Sequence, residues 1–494
     1  MSESARGVKG DGGAVLGTVE GSQAILRVDA AIIGTGQAAP SLAVALAARG
    51  ERVALFEGGA LGGSCVNVGC TPTKTLRKSA RVAHLARRAG EFGVEVGEVR
   101  VNFAAAMERA AGVVEASRTG LQSWISSSAG VTLIREWAAL SGRQEDRFVV
   151  QGAATTVLAS RVYVNTGTRP FVPPVPGLDS IPFLTNESVM ELRERPEHLL
   201  ILGGSYIGLE LGQIFRRLGS EVTVIEADPA VAAREDPDVS ARIAALLAAE
   251  GVTLLTETTV DKVAQATSSS DAPALELQLR HLATGERRQL QGSHLLVATG
   301  RLPNTERLGF ASVGLSLDDL GFIPVNGRLE TSVPRIWALG DVNRRGAFTH
   351  TSYQDHEIVL ANLSGSSRTA DNRVVTYAMF TDPPLGRVGI TEREARALMT
   401  QGRRFLVATH EMKHVSRAKE EGETIGVITV LVDADSELFV GASLLGIGAD
   451  EVVQVISAMM AARAPFRVLK EALPIHPTVA EFFPTILGKL RPLA

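Results

Sequence analysis

The sequence predicts an α/β protein in which one strand–turn–helix–strand unit occurs twice, ahead of a carboxyl-terminal α+β segment. Three observations predict it. An apolar strand, a glycine turn, a helix, a second strand and a carboxylate follow one another from Ala30 to Glu57. The same order recurs from Leu199 to Glu226 without insertion, each landmark displaced by 169 positions. From about Arg373 onward no such fingerprint occurs, and strand-like runs at Thr424–Val432 and Phe439–Leu445 precede an amphipathic helix at Asp450–Arg463.

In the first copy, Ala30–Ile33 is the strand and Gly34-Thr-Gly36-Gln-Ala-Ala39 the turn. A helix runs from about Pro40 to Arg49, Gly50 ends it, and Arg52–Phe56 leads to Glu57. In the second copy Gly203 stands for Gly34, Gly219 for Gly50, Val222 for Val53 and Glu226 for Glu57, with Ser205 and Gly208 completing the turn. Such a turn lets backbone N–H groups approach a pyrophosphate, the helix amino terminus favours its charge, and the carboxylate accepts ribose hydroxyls. Each copy therefore predicts a Rossmann-like dinucleotide site. Each departs from the ideal at one glycine, Ala39 in the first and Ser205 in the second, and Ser205 crowds the pyrophosphate. The alternative is that one copy is a decayed structural repeat.

A chain of 494 residues exceeds what one core sustains and predicts about three domains at roughly 150 residues each. With 45% hydrophobic and 21% charged residues, the default is a folded protein. A net charge of −4 without a long Lys/Arg block gives no electrostatic reason to expect nucleic acid or an anionic membrane. The longest apolar or small-residue run, Leu438–Ala449, is shorter than the ~18 residues of a spanning helix. Residues 1–24 read as a flexible tail with no apolar signal core, so the expected location is the cytoplasm.

The two cysteines stand in Gly62-Gly63-Ser64-Cys65-Val-Asn-Val-Gly-Cys70-Thr-Pro72-Thr-Lys74. A chain this long needs no disulfide staple, and a closed zinc site needs about four ligands, so no metal site is predicted. Pro72 suits a first helical turn and the periodic stretch Leu76–Ala89 continues it. Cys70 then lies near a helix amino terminus with Lys74 one turn on, a setting that favours the thiolate. A pair of inert buried thiols is the plainer reading, and it explains neither the spacing nor the charged neighbours.

The stretch from Gly62 to Val94 resembles the class I pyridine nucleotide-disulfide oxidoreductases. Its Cys-Thr-Pro-Thr-Lys-Thr wording is similar to the mercuric-reductase-like branch, which includes oxidant-resistance reductases, and the resemblance runs from about Asp29 to Leu490. It implies tightly bound FAD and a nicotinamide cofactor. Cys65 would be the interchange thiol that meets substrate and Cys70 the charge-transfer thiolate against the flavin. Lys74 would approach the flavin, paired with Glu210, and Tyr206 resembles the aromatic gate that the nicotinamide displaces. Outside the resemblance, Lys74 is a solvated helix residue and Tyr206 ordinary packing. Val164-Asn-Thr-Gly167 and Val297-Ala-Thr-Gly300 resemble the exits between the FAD and NAD domains, and Asp341, after the strand in Thr331–Gly340, would hold the ribityl hydroxyls.

The implied domains are residues 25–170 and 301–370 for FAD, 171–300 for NAD(P), and 371–494 for a dimer interface. The FAD site would draw on Gly34, Gly36, Ala39, Glu57, Gly63, Ser64, Lys74, Gly167 and Asp341. The nicotinamide site would draw on Gly203, Ser205, Tyr206, Gly208, Glu226 and Gly300. Glu226 is followed by Ala227-Asp228-Pro229, where a 2′-phosphate would meet negative charge, so NADH is expected over NADPH. Arg234 reads as a solvated helix residue.

In Pro474-Ile-His476-Pro-Thr478-Val-Ala-Glu481, Thr478 and Glu481 have capping-box spacing, so helix initiation accounts for Glu481 without any chemistry. The resemblance instead makes His476 the acid–base catalyst for Cys65 of the other chain of a homodimer, oriented by Glu481. Mercuric reductases carry a cysteine pair near the carboxyl terminus and lack this histidine. Leu487–Ala494 has no cysteine, which argues against mercury handling and against a large thioredoxin reductase. The expected reaction passes electrons from NADH through FAD to Cys65–Cys70 and on to a small acceptor: a low-molecular-weight disulfide, an oxidised sulfur species such as hypothiocyanous acid, or a soft metal ion such as Cu(II). A dihydrolipoyl dehydrogenase is the alternative enzyme, and a flavin-binding interaction module without disulfide turnover the alternative of another class.

Overall fold

The computed structural model describes residues 24–266 and 275–494, and the expected tail lies, up to residue 23, outside the described residues. The chain divides into two compact units. The first comprises the chain up to Gly63, Leu121–Gly167 and Pro303–Arg368; the second comprises Ser64–Gly120, Thr168–Leu302 and Thr369–Ala494.

The first unit is built on a seven-stranded sheet. Val131–Ile134, Val53–Phe56, Ala24–Ile33, Thr155–Val164 and Ile336–Ala338 run parallel, and Arg147–Gln151 and Ala139–Gln144 continue it antiparallel. Ala30–Ile33 pairs with Val53–Phe56 on one side and Arg161–Val164 on the other, and its four residues are buried. The strand begins at Ala24, earlier than its apolar run, because Ala24–Val28 pairs with Thr155–Ala159. Arg27 and Asp29 interrupt the hydrophobic signal there without interrupting the backbone ladder. Helix α1, Ala39–Ala47, carries Pro40 in its first turn and buries Leu42, Ala43 and Leu46.

The second unit contains the second copy. Val252–Leu255, Glu221–Ile225, His198–Leu202 and His294–Val297 form a parallel four-stranded sheet, joined by an antiparallel three-stranded one, Thr258–Gln265, Leu275–His281 and Arg287–Gly292. Its carboxyl-terminal part is a six-stranded antiparallel sheet containing Val427–Asp433 and Phe439–Leu445, with the helix Ala449–Ala461 against it.

Also in this unit, helix α2, Gly63–Asn67, carries Cys65, and helix α3, Cys70–Arg87, opens on Cys70 itself. α3 buries Pro72, Thr73, Leu76, Ala80 and Ala83, a helical stripe, and leaves Lys74, Arg77 and Arg81 on a separate polar face. The stripe packs with Phe103, Met107 and Ala110 of helix α4, Phe103–Ser127, and with Leu211, Ile214 and Phe215 of helix α5, Tyr206–Arg217. Phe103 and Phe215 meet with ring centroids 5.8 Å apart. Burying a side chain such as Leu76 completely is worth about 2 kcal/mol. Arg234 lies in an exposed turn and not on a helix, because Asp236 and Pro237 delay the start of helix α6, Pro237–Ala249.

Candidate active site

The two copies share a hydrogen-bond scheme, displaced by the same 169 positions. In the first, Gly34 N donates to Phe56 O at 2.9 Å, Thr35 N to Glu57 Oε2 at 3.0 Å and Gly59 N to Glu57 Oε1 at 2.8 Å. In the second, Gly203 N donates to Ile225 O at 2.8 Å, Gly204 N to Glu226 Oε2 at 2.6 Å and Asp228 N to Glu226 Oε1 at 2.9 Å. Each carboxylate thus fastens the glycine turn to the loop after the second strand. The turns are tight for one reason: Gly34, at φ +95°, and Gly203, at φ +111°, each pass a carbonyl oxygen, of Asn165 and Ala298, that a Cβ would meet at 2.5 Å. The copies differ at the helix start. A Cβ at Gly208 would come within 2.1 Å of Gly203 O, whereas Ala39 is accommodated and donates its N–H to Asn165 Oδ1 at 3.2 Å.

In the first unit, a Cβ on Gly63 would lie 3.1 Å from the Gly36 Cα, so two glycines give backbone-lined space above the turn. Asp341 stands in the single turn Gly340–Asn343 just past the strand Ile336–Ala338. Asp355, 1% exposed, holds that turn by accepting from Gly340 N at 2.7 Å and Asn343 Nδ2 at 3.1 Å. Asn165 Nδ2 donates to Leu339 O at 2.7 Å. These residues fit FAD: a turn in which Gly34 and Gly36 carry no side chain, a helix start beside it, and the carboxylates Glu57 and Asp341. Asn165 and Asp355 were missed as site residues. Asn165 carries a signal, since it lies inside the Val164–Gly167 exit; Asp355 gives no local signal in its helix.

In the second unit the cysteine stretch is held at three points. Arg301 reaches Ser64 Oγ at 3.4 Å, Arg118 Nη2 donates to Asn67 Oδ1 at 2.9 Å, and Asn186 Nδ2 to Val68 O at 3.3 Å. Gly69 lets α2 and α3 turn closely, as a Cβ there would stand 2.9 Å from Ser64 O. Cys65 and Cys70 are both half-buried. Lys74 Nζ donates to Glu210 Oε2 at 2.8 Å and lies 4.5 Å from the Phe380 ring centroid. The Glu210 side chain is 4% exposed and its Oε1 accepts from Phe380 N at 2.7 Å. Its two donors fix the carboxylate in place, and it in turn fixes the lysine. Gly167 and Gly300 have φ of +64° and +142° at the chain's crossings, and Tyr206 opens α5 with Ser205 as its N-cap.

His476 and Glu481 are brought together: Nδ1 lies 2.8 Å from Oε2, with 74% of the imidazole side chain exposed and 12% of the carboxylate side chain. The carboxylate accepts from Nδ1–H, which leaves the Nε2 lone pair facing outward. Glu481 also starts a helical turn, since its N–H donates to Thr478 Oγ1 at 3.1 Å. Only half of the capping box forms, because its carboxylate serves the histidine. Among the described residues no cluster of three His, Cys, Asp or Glu could hold a metal ion, and no helix is long and apolar enough to cross a membrane.

Residues 28–355 match the family described as pyridine nucleotide-disulphide oxidoreductase, and residues 375–486 match its dimerisation domain. The chain belongs to that family. It is 32% identical to the probable pyridine nucleotide-disulfide oxidoreductase RclA of Escherichia coli strain K12, over 92% of this chain and 97% of that one. It is 34% identical to a mercuric reductase of Streptomyces lividans, covering 93% and 95%, and 31% identical to a dihydrolipoyl dehydrogenase of Synechocystis, covering 92% and 96%. The solved structure described as the Cu(II) complex of HOCl-induced flavoprotein disulfide reductase RclA from Escherichia coli superposes with a TM-score of 0.82 at 32% identity, covering 93% of this chain and all of that one. The fold is therefore an α/β FAD-binding oxidoreductase with a dimerisation domain, and the protein is a class I flavoprotein disulfide reductase of the RclA and mercuric reductase branch, dependent on FAD and NAD(P)H. The dimerisation domain indicates a homodimer.

Proposed function

We propose that this chain is a cytoplasmic reductase that spends NADH on a small thiol-reactive acceptor, with Cys65 as the attacking sulfur and His476 of the other chain as its acid–base group. In this reading residues 25–170 and 301–370 hold FAD, residues 171–300 NAD(P)H, and residues 371–494 the partner. FAD, when bound, would relay two electrons from the nicotinamide to the cysteine pair.

The observation that carries the reading is the exposed His476 imidazole held through Nδ1 by the half-buried Glu481 carboxylate. Such a ring presents Nε2 to a reactant outside its own chain. Its one hydrogen bond among the described residues is to Glu481, and its neighbours Leu473 and Ile475, 98% and 79% exposed, are the apolar pair a second copy would cover.

With a disulfide acceptor, the Cys65 thiolate attacks one sulfur and the displaced thiolate takes the proton of the His476 imidazolium. The Cys70 thiolate then attacks the Cys65 sulfur, expels the second sulfur as a thiolate that solvent protonates, and closes the Cys65–Cys70 disulfide. Each cycle moves two electrons to the acceptor and leaves the pair oxidised. Lys74, fixed by Glu210 and Phe380, supplies the local positive charge on α3, one turn beyond Cys70. NADH is favoured because the loop after Glu226 offers Asp228, whose negative charge would meet a 2′-phosphate.

The half-buried cysteine pair and the HOCl-induced, Cu(II)-complexed neighbour support an oxidised sulfur species or soft metal ion before a bulky disulfide as the acceptor. The Synechocystis relative keeps dihydrolipoyl dehydrogenase as a second reading. NADH consumption against a panel of disulfides, hypothiocyanous acid, Cu(II) and lipoamide separates them. The reading stands if an oxidant or metal is turned over and Cys65→Ser abolishes it, and falls if lipoamide alone supports turnover.

A further inference from the structure

Two helices of the second unit reach one short stretch of chain with the same spacing. α3 offers Lys74, Arg77 and Arg81, and α5 offers Glu210, Gln213 and Arg217, each set at i, i+3 and i+7 and so on one helix face. Both faces grip Phe380–Asp382. At the first level Lys74 lies over the Phe380 ring and pairs with Glu210, which accepts from Phe380 N. At the second, Arg77 Nη2 donates to Thr381 O at 2.9 Å, while Gln213 accepts from Asp382 N at 2.7 Å and donates to Asp382 O at 2.9 Å. At the third, Arg81 Nη1 donates to Asp382 Oδ1 at 2.5 Å, and Arg217 takes Oδ2 and, at 3.0 Å, the carbonyl.

Asp382 is 3% exposed, and its amide, its carbonyl and both carboxylate oxygens are engaged. We propose that Asp382 is a positioning residue for Lys74: its carboxylate ties α3 to α5 and so sets where the lysine ammonium stands against Glu210. This rests on the proposed function, in which that ammonium faces the cofactor. Burial pulls the Asp382 carboxyl upward, but the Arg81 hydrogen bond and the Arg217 charge hold it below the usual carboxylate range, so it stays an anion. Without that anion Arg217 keeps its 2.7 Å pair with Glu250 and Arg81 its 3.4 Å contact to Glu423, and the carboxylate that α3 and α5 share at this level is gone. The helices then part at the third level, about 10 Å along the axis from the first, and the Lys74–Glu210 level follows.

The test is the flavin midpoint potential of the FAD-loaded full chain, set with dithionite and a redox dye so that neither NADH nor an acceptor is needed. A cation held near the ring favours reduced, anionic flavin, so Asp382→Asn should lower the reduced-to-oxidised ratio at fixed potential by about tenfold, about 30 mV for two electrons. In a Lys74→Met background the same substitution should do nothing. Glu423→Gln, which touches Arg81 and Arg88 but not Phe380–Asp382, should leave the potential unchanged. If Asp382→Asn yields no flavin-loaded protein, Arg77→Gln takes its place, because it cuts the Thr381 contacts and the 3.4 Å contact to Asp382 Oδ1 and leaves the Arg81 and Arg217 pairs. An equal shift with and without Lys74, or no shift in the variant measured, overturns the proposal. Wild-type flavin that NADH cannot reduce would defeat the proposed function while the potential still reads this coupling.

Discussion

Gly208→Ala is the perturbation whose outcome the geometry fixes most tightly. Alanine in a helix interior is ordinarily worth up to about 1 kcal/mol over glycine. At Gly208 the new Cβ would stand 2.1 Å from Gly203 O and 3.2 Å from Ile201 Cγ2, the first of them backbone. α5 must move outward by about 1 Å to restore contact distance, and overpacking of this kind costs about 1–3 kcal/mol. Offset by the full helix gain, the net expectation is a loss of about 0–2 kcal/mol by urea denaturation, against a gain at an unobstructed helix position. Gly112, in α4, is the control: nothing lies within 4 Å of its Cβ position, so Gly112→Ala should stabilise by about 0.5–1 kcal/mol. Because Tyr206 opens α5, Gly208→Ala should also weaken NADH binding, read as the concentration needed for half-maximal flavin reduction, while flavin content stays at the wild-type level. A Gly208→Ala protein as stable as Gly112→Ala, with unchanged NADH dependence, would refute the close packing of α5 on the strand His198–Leu202.

Four further outcomes follow. Glu481→Gln should leave the fold intact, keeping the Thr478 contact through its backbone, but lower turnover about 10²-fold or more and alter its pH profile, and an unchanged profile would return Glu481 to helix initiation. Asp433 is held at about pKa 2, the Arg403 hydrogen bond and the Ser436 N–H outweighing its burial. A carboxylate depressed in the folded state stabilises above its unfolded value near 4 and loses that contribution as pH falls toward 2, so Asp433→Asn should cost about 1–2 kcal/mol at pH 7 and almost nothing at pH 2. Equal losses at both pH values would contradict this. Asp355→Ala should lower FAD retention on dilution by loosening the Gly340–Asn343 turn, and unaltered retention would remove Asp355 from the site. Asp228→Arg should improve the NADPH-to-NADH ratio of kcat/KM, whereas an unchanged ratio would show that the ribose end lies elsewhere.

The parts of this protein that the sequence exposes are those enforced by periodic or steric rules. The repeated glycine turn had to be written into the chain twice, because backbone passes within reach of Asn165 O and Ala298 O admit no side chain. Even the hydrogen bonds of Glu57 and Glu226 repeat at the same displacement. The Lys74–Glu210 and His476–Glu481 pairs were legible only through resemblance, since residues 136 positions apart carry no local sign of contact and a capping box explains Glu481 equally well. The clasp on Phe380–Asp382 was hidden for the same reason. Its two helix faces show i, i+3, i+7 polar spacing, but that spacing ordinarily marks solvent, and only the fold turns both faces onto one buried aspartate. Strand starts such as Ala24 escaped because a parallel ladder tolerates polar residues that a hydrophobicity count does not.

The central claim is that Cys70 is the sulfur electronically joined to the flavin and Cys65 the sulfur that meets the acceptor. Anaerobic addition of one equivalent of NADH to the flavin-loaded protein tests it most directly. A long-wavelength thiolate–flavin absorbance is expected in the wild type and in Cys65→Ser, and its absence in Cys70→Ser. A spectrum that Cys70→Ser leaves unchanged would contradict the account and leave a flavin-binding protein without disulfide turnover.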